Sequence, residues 1–165
     1  MKLHLCKTVF ALATYAATFI GSLSSKADET DGTSIQKSAA IVKAIEVEGV
    51  AAFSEEALPF KFDSTELASE RAHRQLVEIA KALQSDALRS SAFIIEGHTC
   101  DLGQDSYNLD LSKRRAGAIV DLLSKAGIPA SRLEVVGKGE AAPSVANTNA
   151  ASRAKTRRVE SRLVP

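Results

Sequence analysis

His98, Thr99, Cys100, Asp101, Asn108, Arg114 and Arg115 all fall within GHTCDLGQDSYNLDLSKRRA, residues 97–116. Three kinds of chemistry are open to such a set. His98-x-Cys100 has the look of a metal pair, but zinc sites draw mainly on four nitrogen or sulfur ligands. His73 lies on a polar helix face, so carboxylates alone would have to complete the shell, and no metal site is expected. Serines, His98 and Asp101 could in principle form a hydrolase triad. No G-x-S-x-G elbow occurs, however, and nothing marks one serine as activated, so no catalytic residue is expected. The third option is non-covalent. Arg114 and Asp110 are spaced i,i+4, which accounts for Arg114 as a surface pair. Arg115 lies about 100° further round the helix, beside the apolar stripe. There a guanidinium fork suits a carboxylate ligand, and an ordinary structural arginine fits as well.

The elements around this stretch must bring those side chains together. The apolar run Ala92–Glu96 reads as a strand. Residues 106–126 read as a helix with Ala116, Ile119, Val120, Leu123 and Ala126 on its buried stripe, stopped by Gly127 and Pro129. Between them Gly97, Asp101, Gly103 and Asp105 make a turn. Ligand sites in open α/β layouts gather at such junctions, where backbone N–H groups and the helix dipole converge. Upstream, Leu58–Phe62 alternates as a short strand does, and Ser64 or Thr65 is placed to cap the next helix. That helix carries Ala72, Leu76, Ile79, Ala80 and Leu83 on one stripe. Residues 39–53 fit either a strand through Ile45, Val47 and Val50 or a helix from Ser38. Downstream come a strand at Arg132–Val136, a polar loop at Pro143–Ser152 and a last strand at Arg158–Leu163. The order predicts an α/β (α+β) sandwich: a βαβαβ-plus-strand domain whose small mixed sheet has two main helices on one face.

Two further patterns are weaker than they look. Gly137-Lys138-Gly139-Glu140-Ala141-Ala142 matches a dinucleotide fingerprint, but Pro143 follows and no helix opens, so no nucleotide cofactor is expected. Arg153, Lys155, Arg157, Arg158 and Arg162 form a basic tail, which suits either a solvated strand edge or the rim of an anionic-ligand pocket.

The first 27 residues of the 165 read as a signal peptide: Lys2 and Lys7, then an apolar run from Val9 to Ile20, then Ser25-Lys26-Ala27. Thr8–Leu23 would reach only about 24 Å as a helix, short of the roughly 30 Å hydrocarbon core, which favours cleavage over anchoring. Cleavage removes three lysines from 21 basic residues and none of the 20 acids, leaving 18 against 20. A slightly acidic mature chain does not suit nucleic-acid binding. Cys6 would leave with the signal, so Cys100 is expected to be the lone thiol of a chain in an oxidising compartment. Residues 28–57 read as a leader and linker, and residues 58–165 as the folded domain.

From Leu58 to Leu163 the sequence resembles the OmpA-like (OmpA/MotB C-terminal) domain family. The matching pieces are Phe60-Lys61-Phe62-Asp63-Ser64-Thr65-Glu66-Leu67, Ile95-Glu96-Gly97-His98-Thr99 and Tyr107–Ala116. Gly137-Lys138-Gly139-Glu140 with Pro143, Asn147 and Arg157-Arg158-Val159-Glu160 follow in order. The resemblance implies a non-enzymatic, periplasmic, possible outer-membrane-associated module that binds peptidoglycan, with envelope proteins as possible partners and no cofactor. It implies recognition of the diaminopimelate group of the stem peptide, an arginine in the second helix taking the carboxylate and an aspartate after Gly-His-Thr the ammonium. Arg115 matches that arginine. Cys100 stands at the aspartate position, with Asp101 one place later. Thr99, Asn108 and Arg158 match other pocket-lining positions, and Thr156 stands where the family has asparagine. Two functions follow as expectations: wall binding through Thr99, Asp101, Asn108, Arg115 and Arg158, or an assembly protein of the same fold whose wall binding is weakened because Cys100 replaces the aspartate. The leader from Asp28 to Ala57 reads as too short for the membrane barrel of the family's namesake, whose strands each need roughly 9–11 residues, so no transmembrane barrel is expected.

Overall fold

The computed structural model describes residues 35–165. The signal peptide expected over residues 1–27 lies outside them. The described chain runs α1 (Ser38–Glu48), β1 (Val50–Ser54), α2 (Glu70–Gln84), β2 (Phe93–His98), α3 (Asp105–Lys125), a 3-10 turn (Ala130–Arg132), β3 (Leu133–Gly139), α4 (Ala150–Thr156) and β4 (Arg158–Leu163). The strands form one mixed sheet in the order β1-β4-β2-β3. Only β2 and β3 are parallel; β4 runs antiparallel to both of its neighbours.

Side chains alternate across this sheet. One face carries Ala51, Phe53, Phe93, Ile95 and Val159, and these join Ile41 and Ile45 of α1, the expected stripe of α2, and Ala116, Ile119 and Leu123 of α3 in one hydrophobic core. The other face carries Glu96, His98, Arg158, Glu160 and Arg162, a polar layer in register across β2 and β4.

The ambiguous stretch over residues 39–53 resolves into both of its readings in turn. Ile41 and Ile45, four residues apart, bury one side of α1 against α2. Gly49 then takes φ 71° and returns its N–H to Ile45 O, ending the helix so that β1 can start at once. The two helices are tied at α1's start, where Ser38 N donates to Glu78 Oε2 at 2.9 Å and the buried Gln75 exchanges hydrogen bonds with the Gln36 backbone.

Leu58–Phe62 is not a sheet strand. Val50–Ser54 occupies the place beside β4, and Phe60 makes a single antiparallel bridge to Leu67 that closes a turn. Phe62 is 99% exposed at the tip, so its alternation with Phe60 reports no buried face. Ser64 does not cap α2 either; its hydroxyl accepts from Glu66 N inside the turn. The cap is Ser69, which accepts from Ala72 N at 3.2 Å. The loop expected at Pro143–Ser152 contains the start of α4, whose capping box joins Asn149 and Ser152 reciprocally.

Two glycines let α3 lie close on β2 and β3. A Cβ at Gly97 would stand 2.1 Å from Ser112 O, and one at Gly137 would stand 2.8 Å from Ser112 Oγ. Ser112 itself is fully buried, donating to Leu109 O and accepting from Gly139 N at 2.9 Å. The Gly137-Lys138-Gly139 run is therefore the end of β3, under a helix, and not a phosphate loop.

Candidate functional site

Glu55, Leu58 and Phe60 after β1, Gly97 and His98 at the end of β2, Arg115 of α3, and Arg157, Arg158 and Val159 at the start of β4 line a small cavity. Three guanidiniums and one carboxylate face it, and each is held differently.

Arg115 has least company. Its Nε donates to Ser64 O at 3.2 Å, and its Cζ stands 4.9 Å over the Phe60 ring. Among the described residues it makes no ion pair. Burial lowers its affinity for the proton, Arg157 and Arg114 add to this, and Glu55 and Asp63 act in the opposite sense. The group stays charged throughout the accessible pH range. A half-buried cation with its terminal nitrogens uncommitted is a ready receptor for an anion.

Arg157 is clamped. Its Nε and Nη2 both donate to Glu55 Oε2, at 2.8 and 2.5 Å, and its Nη1 donates to Cys100 Sγ at 3.3 Å. The backbones agree, Glu55 N donating to Arg157 O at 2.8 Å. Arg158 is largely neutralised: its Nε meets Glu160 Oε1 at 2.7 Å, and its Nη1 caps the carbonyls of Ala142 and Thr156.

The other expected site residues, Thr99, Asp101 and Asn108, are not among the residues that line the cavity. Thr99 is buried and donates its N–H to Gly139 O at 2.8 Å, while its hydroxyl has no partner among the described residues. Asn108 Nδ2 reaches Cys100 O, Leu102 O and Glu140 Oε2, the last at 2.6 Å, and so fastens the turn after β2 to α3 and to the loop after β3. Asp101 faces α4, where Arg153 Nε meets its Oδ1 at 2.7 Å. It is not among the residues lining the cavity. Cys100 is a free, buried thiol. Arg114 pairs with Asp110 at 2.7 Å, as their spacing predicts.

His98 marks a second polar grouping. Glu96, His98 and Glu160 present ligand-type atoms within 4.8 Å of one another, so the histidine's metal-type neighbours are carboxylates and not Cys100. Cations already hold those carboxylates. Lys138 stands 3.4 Å from Glu96, Arg162 stands 3.3 Å from Glu96 and 2.6 Å from Glu160, and Arg158 closes on Glu160. Three cations around two carboxylates make a poor setting for a metal ion. His98 is buried, with neither ring nitrogen hydrogen-bonded among the described residues, and burial, aided by Arg158, pushes its pKa down to about 4.

Sequence reasoning did not single out Glu55. It sits just past β1, the strand that the ambiguous apolar period concealed, and its place was set by pairing with β4. Arg157 was legible as part of the basic tail. Among the described residues no nucleophile is paired with a base around this cavity.

Comparison with known proteins gives the family. It is 37% identical over 105 residues to Outer membrane protein A of Bordetella avium, covering 64% of this chain and 53% of that protein. It is 35% identical over 105 residues to Outer membrane porin F of Pseudomonas aeruginosa, covering 63% of this chain and 29% of that one. The match thus spans about half or less of these relatives' lengths. Among solved structures, the peptidoglycan-associated lipoprotein from Burkholderia pseudomallei superposes with a TM-score of 0.58 at 27% identity, covering 68% of this chain and 89% of that one. Among the described residues, no helix is long and apolar enough to cross a membrane. The OmpA family model matches residues 59–157, and the chain belongs to the OmpA family.

Proposed function

We propose that this protein is a non-catalytic, periplasmic cell-wall-binding module that holds the diaminopimelate group of peptidoglycan stem peptides by its carboxylate at Arg115. The observation that carries this reading is the state of Arg115: a half-buried guanidinium, lining a cavity, stacked on Phe60 and without an ion-pair partner among the described residues. A planar fork so placed matches a carboxylate in two parallel hydrogen bonds. Likeness to a peptidoglycan-associated lipoprotein supports the polymer as the ligand's source. Asn108 supports the site from behind by fastening the turn after β2 to α3, and Arg158, paired with Glu160, completes the lining.

Affinity for one such group is about micromolar or weaker, because a small polar ligand at an open rim must offset its own desolvation and lost freedom. It declines with salt, since the contact is ionic and partly exposed. The experiment is co-sedimentation of the mature chain with purified sacculi, comparing wild type and Arg115→Ala. Loss of the variant from the pellet supports the proposal; equal retention of both removes Arg115 as the anchor.

A further inference from the structure

A diaminopimelate group ends in an amino acid, so the carboxylate that Arg115 receives carries an ammonium beside it. Asp101 is poorly placed to accept that ammonium, with Arg153 on its carboxylate and no part in the cavity lining. Cys100 offers a thiol whose sulfur is turned to Arg157. The cavity nevertheless contains a carboxylate. Resting on the reading of Arg115 above, we infer that Glu55 is the ammonium receptor of this site and sets its preference for a zwitterionic amino-acid terminus over a simple carboxylate.

Three observations carry this assignment. Glu55 is the one acid among the described residues that line the cavity with Arg115. Its two hydrogen bonds from Arg157 both land on Oε2, so Oε1 has no hydrogen-bond partner among the described residues. The side chain is also fixed in advance: Arg157 holds its head, and the Glu55 N–H to Arg157 O bond holds its backbone. A carboxylate oriented by one cation and open at its second oxygen needs little rearrangement to take a charged N–H donor. Asp101, in contrast, has both oxygens within reach of Arg153, at 2.7 and 3.4 Å.

The test uses the mature chain and two probes, diaminopimelate and pimelate, which share their carboxylates and differ in the ammonium groups. Binding is measured by calorimetry for wild type, Glu55→Gln, Glu55→Asp, Asp101→Asn and Arg115→Ala. Wild type should prefer diaminopimelate. Glu55→Gln should lose roughly tenfold for diaminopimelate and nothing for pimelate; the retained pimelate binding also shows that the variant is folded. Glu55→Asp should recover part of the preference, and Asp101→Asn should keep all of it. A Glu55→Gln variant that keeps the wild-type preference overturns the inference, as does loss of that preference in Asp101→Asn. If Arg115→Ala abolishes binding of both probes while Glu55→Gln changes neither, the inference alone falls. If wild type binds neither probe, the reading of Arg115 falls with it.

Discussion

Arg153 of α4 holds Asp101 in the turn after β2, Nε to Oδ1 at 2.7 Å and Nη2 to Oδ2 at 3.4 Å. The bridge joins α4, a seven-residue helix, to the loop that leads into α3. It also fixes where negative charge stands around the cavity, since an acid engaged on α4 contributes little to a group bound near Arg115.

The hydrogen bond from Arg153 keeps the Asp101 carboxyl below its ordinary range. Asp101 is exposed and Arg153 only partly covered, so the effect on stability is modest and salt-screened. In Arg153→Ala the Asp101 carboxyl should titrate upward toward its ordinary value, with retention on sacculi within about twofold of wild type. NMR titration of the carboxyl carbon, paired with sedimentation, checks both.

Close packing of α3 on the sheet gives a larger expected effect. A methyl group added at Gly97 would come within 2.1 Å of Ser112 O, a backbone atom that cannot turn aside as a side chain can. Gly97→Ala should cost at least about 3 kcal/mol of stability, by the cost of forcing atoms into a well-packed interior. Chemical denaturation measures it. A comparable substitution at Gly117, where nothing lies within 4 Å, should be neutral or mildly stabilising.

Acid should weaken the fold through the polar sheet face. Burial first, then Arg158, holds His98 near 4 in the folded state, against 6.5 for the ordinary side chain, while Glu160 and Glu96 pull the other way. Between those values the unfolded chain binds more protons, so stability falls as pH drops through 6.5 and levels off below about 4. The full difference amounts to about 3 kcal/mol at most. Glu160 acts in the same direction: burial opposes its ionisation, yet the hydrogen bond from Arg158 holds it below 4.5, and its contribution is lost in more acidic solution. Denaturation midpoints from about pH 7 to 4 should slope downward in wild type and less steeply in His98→Asn, where Glu96, Glu160, Lys138, Arg158 and Arg162 remain as the other charges on this face.

Cys100→Asp tests the site's charge balance. Arg157 Nη1, now 3.3 Å from the sulfur, would meet a carboxylate oxygen. A second acid at the cavity's back should raise retention on sacculi above that of wild type. A wild type that fails to sediment beside a variant that does would instead favour the assembly-protein reading.

How much of this was legible in the chain varies with the range of the force that decides it. The stripe Ala72–Leu83, the stop at Gly127 and the last strand were readable because local period and backbone preference agree with the fold there. Val50–Ser54 was not, because five residues beside a helix of similar composition carry no distinct period, and pairing with β4 decides their state. Leu58–Phe62 misled for the opposite reason: it alternates like a strand, but Phe62 points to water and Phe60 packs beneath Arg115. In the site, Arg115 could be found from its place on a helix. Glu55 could not, since its partner Arg157 lies 102 residues away.

Whether Arg115 binds a carboxylate can be read from its own Nε–Hε resonance, followed by NMR during titration with diaminopimelate. A saturable shift of that resonance is expected, absent for a neutral diamide of the same compound and diminished by added salt. An Arg115 resonance that stays fixed while the chain binds sacculi would contradict carboxylate binding there, and would place wall recognition elsewhere on the molecule.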